Sequence, residues 1–134
     1  MITILICGDR FWNNFKVMDS FLKNLPVGSK VVHGDCRGAD KIGGWLANKY
    51  GFEVYSEPAE WFKYGKKAGP IRNRLMLNKY KINYVWAFHD DLEKSKGTKD
   101  MVEAALEKGI PVKLISSSGN YKTLFKYKDI EYLF

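Results

Sequence analysis

The chain has 134 residues, enough for one domain that buries its own core. With 46% hydrophobic and 28% charged residues, its composition excludes a disordered tail or a fibrous chain. No apolar run approaches the roughly 18 residues that a membrane span needs. The formal net charge is +7, and its location is informative. No Asp or Glu occurs between Trp61 and His89, while Lys63, Lys66, Lys67, Arg72, Arg74, Lys79 and Lys81 all fall there. The other basic and acidic residues cancel, so the surplus sits in one segment and points either to a solvated helix face or to an anionic partner. The start, Met1 to Ile6, has no basic region ahead of its apolar stretch and no cleavage-type site, so a cytoplasmic protein is expected. Cys7 and Cys36 cannot make a disulfide framework or a metal knuckle by spacing. They are expected to be reduced thiols, with no metal and no cofactor.

Ile2 to Cys7 is apolar with little polar alternation, as suits a strand buried on both faces. Gly8-Asp9-Arg10 ends it. A helix is expected from about Asn14 to Leu25, with Phe15, Met18, Phe21, Leu22 and Leu25 at helical spacing and Pro26 as its stop. Lys30 to His33 is a second strand, broken by Gly34-Asp35-Cys36-Arg37-Gly38. Ala39 to Tyr50 is a second helix, with Gly51 past its end. Phe52 to Ser56 is a third strand. Pro58 to Gly69 reads as a loop with a turn of helix near Trp61. Pro70 suits the first position of a helix running to Tyr80. Ile82 to Phe88 is a fourth strand, Thr98 to Lys108 a helix and Val112 to Ile115 a fifth strand. The tail, with Tyr121, Phe125, Tyr127, Tyr132 and Phe134, suits an edge hairpin, a helix or a partner interface.

Strands alternating with helices imply an α/β fold: a Rossmann-like, doubly wound parallel sheet of about five strands in the order 3-2-1-4-5. The domain core spans about residues 1–116, and 117–134 form a C-terminal extension. Ligands bind such sheets beyond the carboxyl ends of the strands, where the order reverses, here between strands one and four. The glycine-rich and polar motifs fall on those loops. They are Gly8, Asp9 and Arg10; then His33, Gly34, Asp35, Arg37, Gly38 and Asp40; then Ser95, Lys96, Gly97 and Thr98. Loops running into helix N-termini offer unpaired N–H groups to phosphate, although Ser95 or Thr98 also suits simple capping. Arg72, expected in the first turn of its helix, would be relieved by an anion. A ligand phosphate and an ion pair with Asp9, Asp35, Asp40 or Asp90 both meet that need.

These residues carry a resemblance. Gly8-Asp9-Arg10, His33-Gly34-Asp35, Arg37-Gly38-Ala39-Asp40, Ala59-Glu60-Trp61, Tyr64-Gly65-Lys66, Ala68 to Asn73 with Met76, and Ser95-Lys96-Gly97-Thr98 with Met101 occur in that order. The set resembles the YspA-type branch of the SLOG superfamily over roughly residues 1–115, leaving the tail outside. That superfamily also includes the LOG phosphoribohydrolases and the DNA-processing protein DprA/Smf, and the YspA branch is encoded by phages and bacteria. The resemblance implies a Rossmann-like domain that binds nucleotides or nucleotide-derived ligands. Arg72-Asn73-Arg74-Leu75-Met76 is similar to the Arg-Lys-x-x-Met motif of LOG enzymes, which would carry their catalytic arginine onto Arg72. Their Pro-Gly-Gly-x-Gly-Thr-x-x-Glu motif is matched only at Gly97 and Thr98. Met101 stands at the glutamate position, and Asp100 falls one residue early, about 100° around the helix.

Three readings follow. In the first, the chain is a sensor or binding module for a phosphorylated nucleotide-derived ligand. Gly97, Thr98 and the Arg37–Gly38 turn would hold phosphate, Arg72, Lys66 and Asn73 would line the site, Asp35 or Asp40 would accept ribose hydroxyls, and Trp61 or Trp12 would stack. In the second, it is a nucleotide-processing hydrolase such as a phosphoribohydrolase. Its candidate carboxylates are Asp100, Asp40, Asp9 and Asp35, with Arg72 as catalytic cation and His33 and His89 as candidate bases. Each histidine also suits a purely structural role. The third, by analogy to DprA, is weak, salt-dependent nucleic-acid binding through 61–89, where Trp61, Phe62, Tyr64, Tyr80, Tyr84 and Trp86 interleave with the basic residues, although Tyr84 and Trp86 fall in an expected buried strand. The aromatic tail points to a homodimer or higher homo-oligomer.

Overall fold

A computed structural model describes residues 2–126 and 128–130. One sheet organises the chain, in the order β3-β2-β1-β4-β5-β6. Its parallel strands are β1 (Thr3–Gly8), β2 (Lys30–His33), β3 (Glu53–Ser56), β4 (Tyr84–Phe88) and β5 (Val112–Ile115). β6 (Tyr121–Leu124) runs antiparallel to β5, so the start of the tail takes the hairpin form. The expected doubly wound order is therefore present with one strand added. The crossover helices are α1 (Phe15–Leu22), α2 (Ala39–Lys49), α4 (Ala68–Lys79) and α5 (Lys96–Glu107), with a short α3 (Trp61–Tyr64) before α4. Tyr127, Tyr132 and Phe134 of the tail pattern lie outside the described residues, as does Met1.

The central strand shows why the sheet is covered twice. Ile4 and Ile6 pack with Met18 and Leu22 of α1 and with Ala47 of α2. Leu5 and Cys7 point the other way, toward Met76 of α4 and Met101, Val102 and Ala105 of α5. Successive side chains of a strand alternate between faces, so an unbroken apolar run needs helices on both sides. Each such buried side chain contributes about 1.5–3 kcal/mol.

Element boundaries differ from the sequence expectation where local hydrogen bonding decides. The first helix ends at Leu22, because Pro26 disfavours helical backbone at Leu25, whose amide instead bonds the Leu22 carbonyl at 3.1 Å. Helix α4 starts at Ala68, fed by a 3-10 turn over Gly65–Lys67. Pro70 is thus the third helical residue, still inside the turn whose N–H groups have no helical partner. Arg72 consequently sits in the second turn. β4 starts at Tyr84, because the Asn83 side chain takes the Thr3 amide at 2.8 Å before the ladder begins. Tyr84 itself is exposed rather than buried, while Trp86 is in the core. Helix α5 begins at Lys96 because Ser95, and not Thr98, caps it.

Candidate functional site

The parallel topology brings the loops after β1, β2, β3 and β4 to one edge of the sheet, together with the N-termini of α2, α4 and α5. At the reversal between β1 and β4, backbone hydrogen bonds tie the neighbouring loops together. The Asp9 amide donates to the Phe88 carbonyl at 2.9 Å, and the Asp9 carbonyl accepts from Ala39 and Trp12, each at 3.1 Å. A Cβ at Gly8 would collide with the Phe88 carbonyl, and one at Gly38 with Asp9 and Arg10. Gly38 also has a φ of +73°, a region that favours glycine. These two glycines serve loop-on-loop packing. Trp12 is buried edge-on against Phe88, with its indole N–H on the Asn14 carbonyl, so it is a core residue and not a stacking surface. The Asp9 side chain accepts the Phe11 amide at 2.9 Å. Arg10 and Arg37 stay exposed, and neither forms an ion pair among the described residues. The Arg37 guanidinium lies 5.9 Å from the Phe11 ring centre.

The second loop is built around Arg72 and Asp40. Arg72 forms no ion pair with Asp9, Asp35, Asp40 or Asp90. Its Nη1 donates to the Gly34 carbonyl at 2.6 Å and to the Glu57 carbonyl at 3.3 Å. Nη2 reaches the Cys36 sulfur at 3.6 Å, and Nε donates to Asn73 Oδ1 at 3.1 Å. A planar fork with five donors suits this bracing of a turn. Gly34 is required because any Cβ there would occupy the guanidinium's place. The buried Asp40 carboxylate accepts the amides of Gly34 at 3.0 Å and Cys36 at 3.3 Å. Burial pushes its carboxyl up to about 6, against the opposing pull of the Cys36 amide, Arg72 and the Gly34 amide. Asp35 pairs with Lys41 at 3.2 Å. His33 accepts the Asp35 amide on Nδ1 at 2.9 Å, and its Nε2 edge packs on Gly44. Burial lowers its pKa, so the ring is neutral. Burial raises the Cys7 thiol well above its ordinary value. Asp40 and His33 are thus buried parts of the wall, and the half-buried Arg72 is committed to backbone carbonyls.

The third loop is open. Ser95 Oγ caps the Thr98 amide at 3.3 Å and donates to the Thr98 hydroxyl at 2.9 Å, with Thr98 itself buried. The amides of Lys96 and Gly97 have no partner among the described residues. A Cβ at Gly97 would meet nothing within 4 Å. Asn73 ties this turn to α4, donating to the Gly97 carbonyl at 3.4 Å and to Asp100 at 3.0 Å. Asp100 also holds Arg74 in a two-pronged pair at 2.9 and 3.1 Å. Its carboxylate is therefore committed, and Met101 is buried in the core. Neither stands ready as the carboxylate a glycosidic hydrolase needs.

Of the basic segment, Arg72 and Arg74 are spent as described, and Lys79 pairs with Glu57 at 2.6 Å. Lys63, Lys66, Lys67 and Lys81 remain exposed. Beside them Trp61 is 56% exposed, and Phe62 and Tyr64 also face solvent. Lys66 lies in the exposed 3-10 turn Gly65–Lys67.

A cleft of about 290 Å³ lies one strand beyond the reversal, lined by His89, Asp90, Asp91, Leu92, Leu114, Ser116, Asn120, Tyr121 and Lys122. Most of these residues carry no motif, and the β5–β6 hairpin that forms one wall was one of three open choices in the sequence. One signal was present: His33-Gly34-Asp35 and His89-Asp90-Asp91 share a pattern at two strand ends. In both, the histidine Nδ1 accepts the amide two residues on, at 2.9 Å. Among the described residues, no group of His, Cys, Asp and Glu could hold a metal ion, and no helix is long and apolar enough to cross a membrane.

Fold and edge together define a Rossmann-like α/β protein with its loops gathered at the carboxyl ends of the strands. The chain is 38% identical over 121 residues to the Gene 61 protein of Mycobacterium phage D29, covering 84% of this chain and 94% of that relative. It belongs to the family of that phage protein. No family model matches it, and no solved structure matches it.

Proposed function

We propose that the protein binds a phosphorylated, nucleotide-derived ligand at the carboxyl edge of its sheet, as a sensor or binding module of the SLOG kind. The observation that supports this best is the first turn of α5. Two unpartnered amides, the positive end of a twelve-residue helix, an exposed Lys96 and an unobstructed Gly97 form a ready anion seat. Arg72 and Asn73 act behind it. They brace the Gly34 and Gly97 turns from adjacent positions of α4, fixing the spacing between two loops of the edge. Calorimetry against nucleoside mono-, di- and triphosphates tests the reading. Saturable binding that is lost in Gly97→Asp supports it, since that side chain enters open space and puts a carboxylate beside the seat. No heat with any phosphorylated nucleoside overturns it.

A second reading, single-stranded nucleic-acid binding, is favoured by the exposed Trp61, Phe62 and Tyr64 beside Lys63, Lys66 and Lys67. A gel shift with a short single strand at physiological salt, lost in Trp61→Ala, supports it. No shift at any salt concentration overturns it.

A further inference from the structure

The cleft between the loop after β4 and the β5–β6 hairpin has a chemistry of its own. His89 is only 6% exposed and lines it. Its Nδ1 accepts the Asp91 amide, so the neutral ring carries its proton on Nε2. No described residue accepts that proton, yet among the described residues no buried side-chain nitrogen or oxygen lacks a partner. Nε2 is therefore not sealed from solvent, and His89 is one of the residues that line the cleft. Next along the chain, Asp90 Oδ1 takes the Ser117 amide at 2.8 Å and the Ser117 hydroxyl at 3.0 Å. The second oxygen, Oδ2, is left as an acceptor at the rim. Leu92 and Leu114 also line the cleft and add apolar surface.

A donor and an acceptor on adjacent residues, with apolar surface in the same cleft, match a planar ring whose edge carries an acceptor next to an N–H. Among the lining residues two carboxylates, Asp90 and Asp91, stand against one cation, Lys122, a balance that favours a neutral ring over a phosphate. At about 290 Å³ it takes one ring system. Small-molecule sites start at about 300 Å³, and a dinucleotide would need several times the space of one ring.

We propose that this cleft binds a nucleobase-type heteroaromatic ring, with His89 Nε2–H donating to a ring acceptor and Asp90 accepting from the neighbouring N–H. The proposal rests on the nucleotide reading only for what carries the ring, so nucleosides, which lack phosphate, test it alone. Adenosine, cytidine, guanosine and uridine are titrated into the full chain and followed by nitrogen–proton NMR. At least one is expected to shift, saturably, the amides of residues 89–92 and 116–122 and the His89 Nε2 signal. His89→Asn keeps an acceptor for the Asp91 amide and removes Nε2, and is expected to weaken that binding about tenfold. Asp90→Asn, which turns the free acceptor into a donor, is expected to weaken it similarly. Shifts by no nucleoside, or equal affinity in His89→Asn, overturn the proposal. The phosphate seat fails separately: if nucleosides bind but their phosphates bind no tighter, the cleft stands and the α5 reading falls.

Discussion

The buried carboxylate of Asp40 gives stability an uncommon pH dependence. Paired carboxylates usually lose stabilising charge as pH falls; here the folded state holds the proton more tightly than the unfolded chain. The carboxyl moves from an ordinary 3.8 to about 6, with burial as the largest cause. Ionised Asp40 therefore costs stability above pH 6, and the cost is relieved as pH falls toward 4. The full shift corresponds to about 3 kcal/mol, of which about 2 kcal/mol is recovered between roughly pH 7.5 and 4.5. Asp40→Asn removes the titration while leaving a carbonyl oxygen for the Gly34 and Cys36 amides. Urea unfolding of both proteins at the two pH values isolates Asp40, because every other carboxylate titrates in both. Wild type is expected to gain about 2 kcal/mol relative to the variant at the lower pH. A stability difference that is constant with pH, or one that moves the other way, refutes the reasoning.

Arg72→Ala leaves the Gly34 and Glu57 carbonyls without their donor and is expected to cost roughly 2–4 kcal/mol in a urea melt, with little recovery in Arg72→Lys. Gly38→Ala places a Cβ against Asp9 and Arg10 at positive φ, and should lower stability by about 2 kcal/mol or more in the same assay. Gly97→Ala meets no neighbour and, as a helical position, should raise the thermal midpoint slightly, by up to about 1 kcal/mol of stability. Asp100→Asn breaks a partly exposed pair with Arg74 and should cost no more than about 1 kcal/mol by urea unfolding.

The fold was legible because its signals are local and periodic. The apolar run Ile4-Leu5-Ile6 alternates between two helix layers, and glycine or proline punctuation separates strands from helices. That pattern, with right-handed crossovers, leaves few strand orders, among them the one observed. The tail was not legible. Tyr121, Lys122 and Thr123 alternate no more like a strand than like a helix, and only pairing with β5 selects one.

For the site, sequence by itself determined which residue types meet at the carboxyl edge: the glycines, Arg72, Asp40, Ser95, Gly97 and both histidines. Only the tertiary structure decided what each of them faces. Arg72 read as a cation awaiting an anion because it was expected in the first turn of its helix, but backbone carbonyls 38 and 15 residues away satisfy it. Gly8 and Gly38 fell on the expected binding loops, and loop-on-loop contact makes them fillers. Gly97 and His89 keep an open side. Spacing along a chain records which groups a segment carries, while hydrogen-bond satisfaction depends on partners brought from distant segments, and that is settled only when the sheet closes.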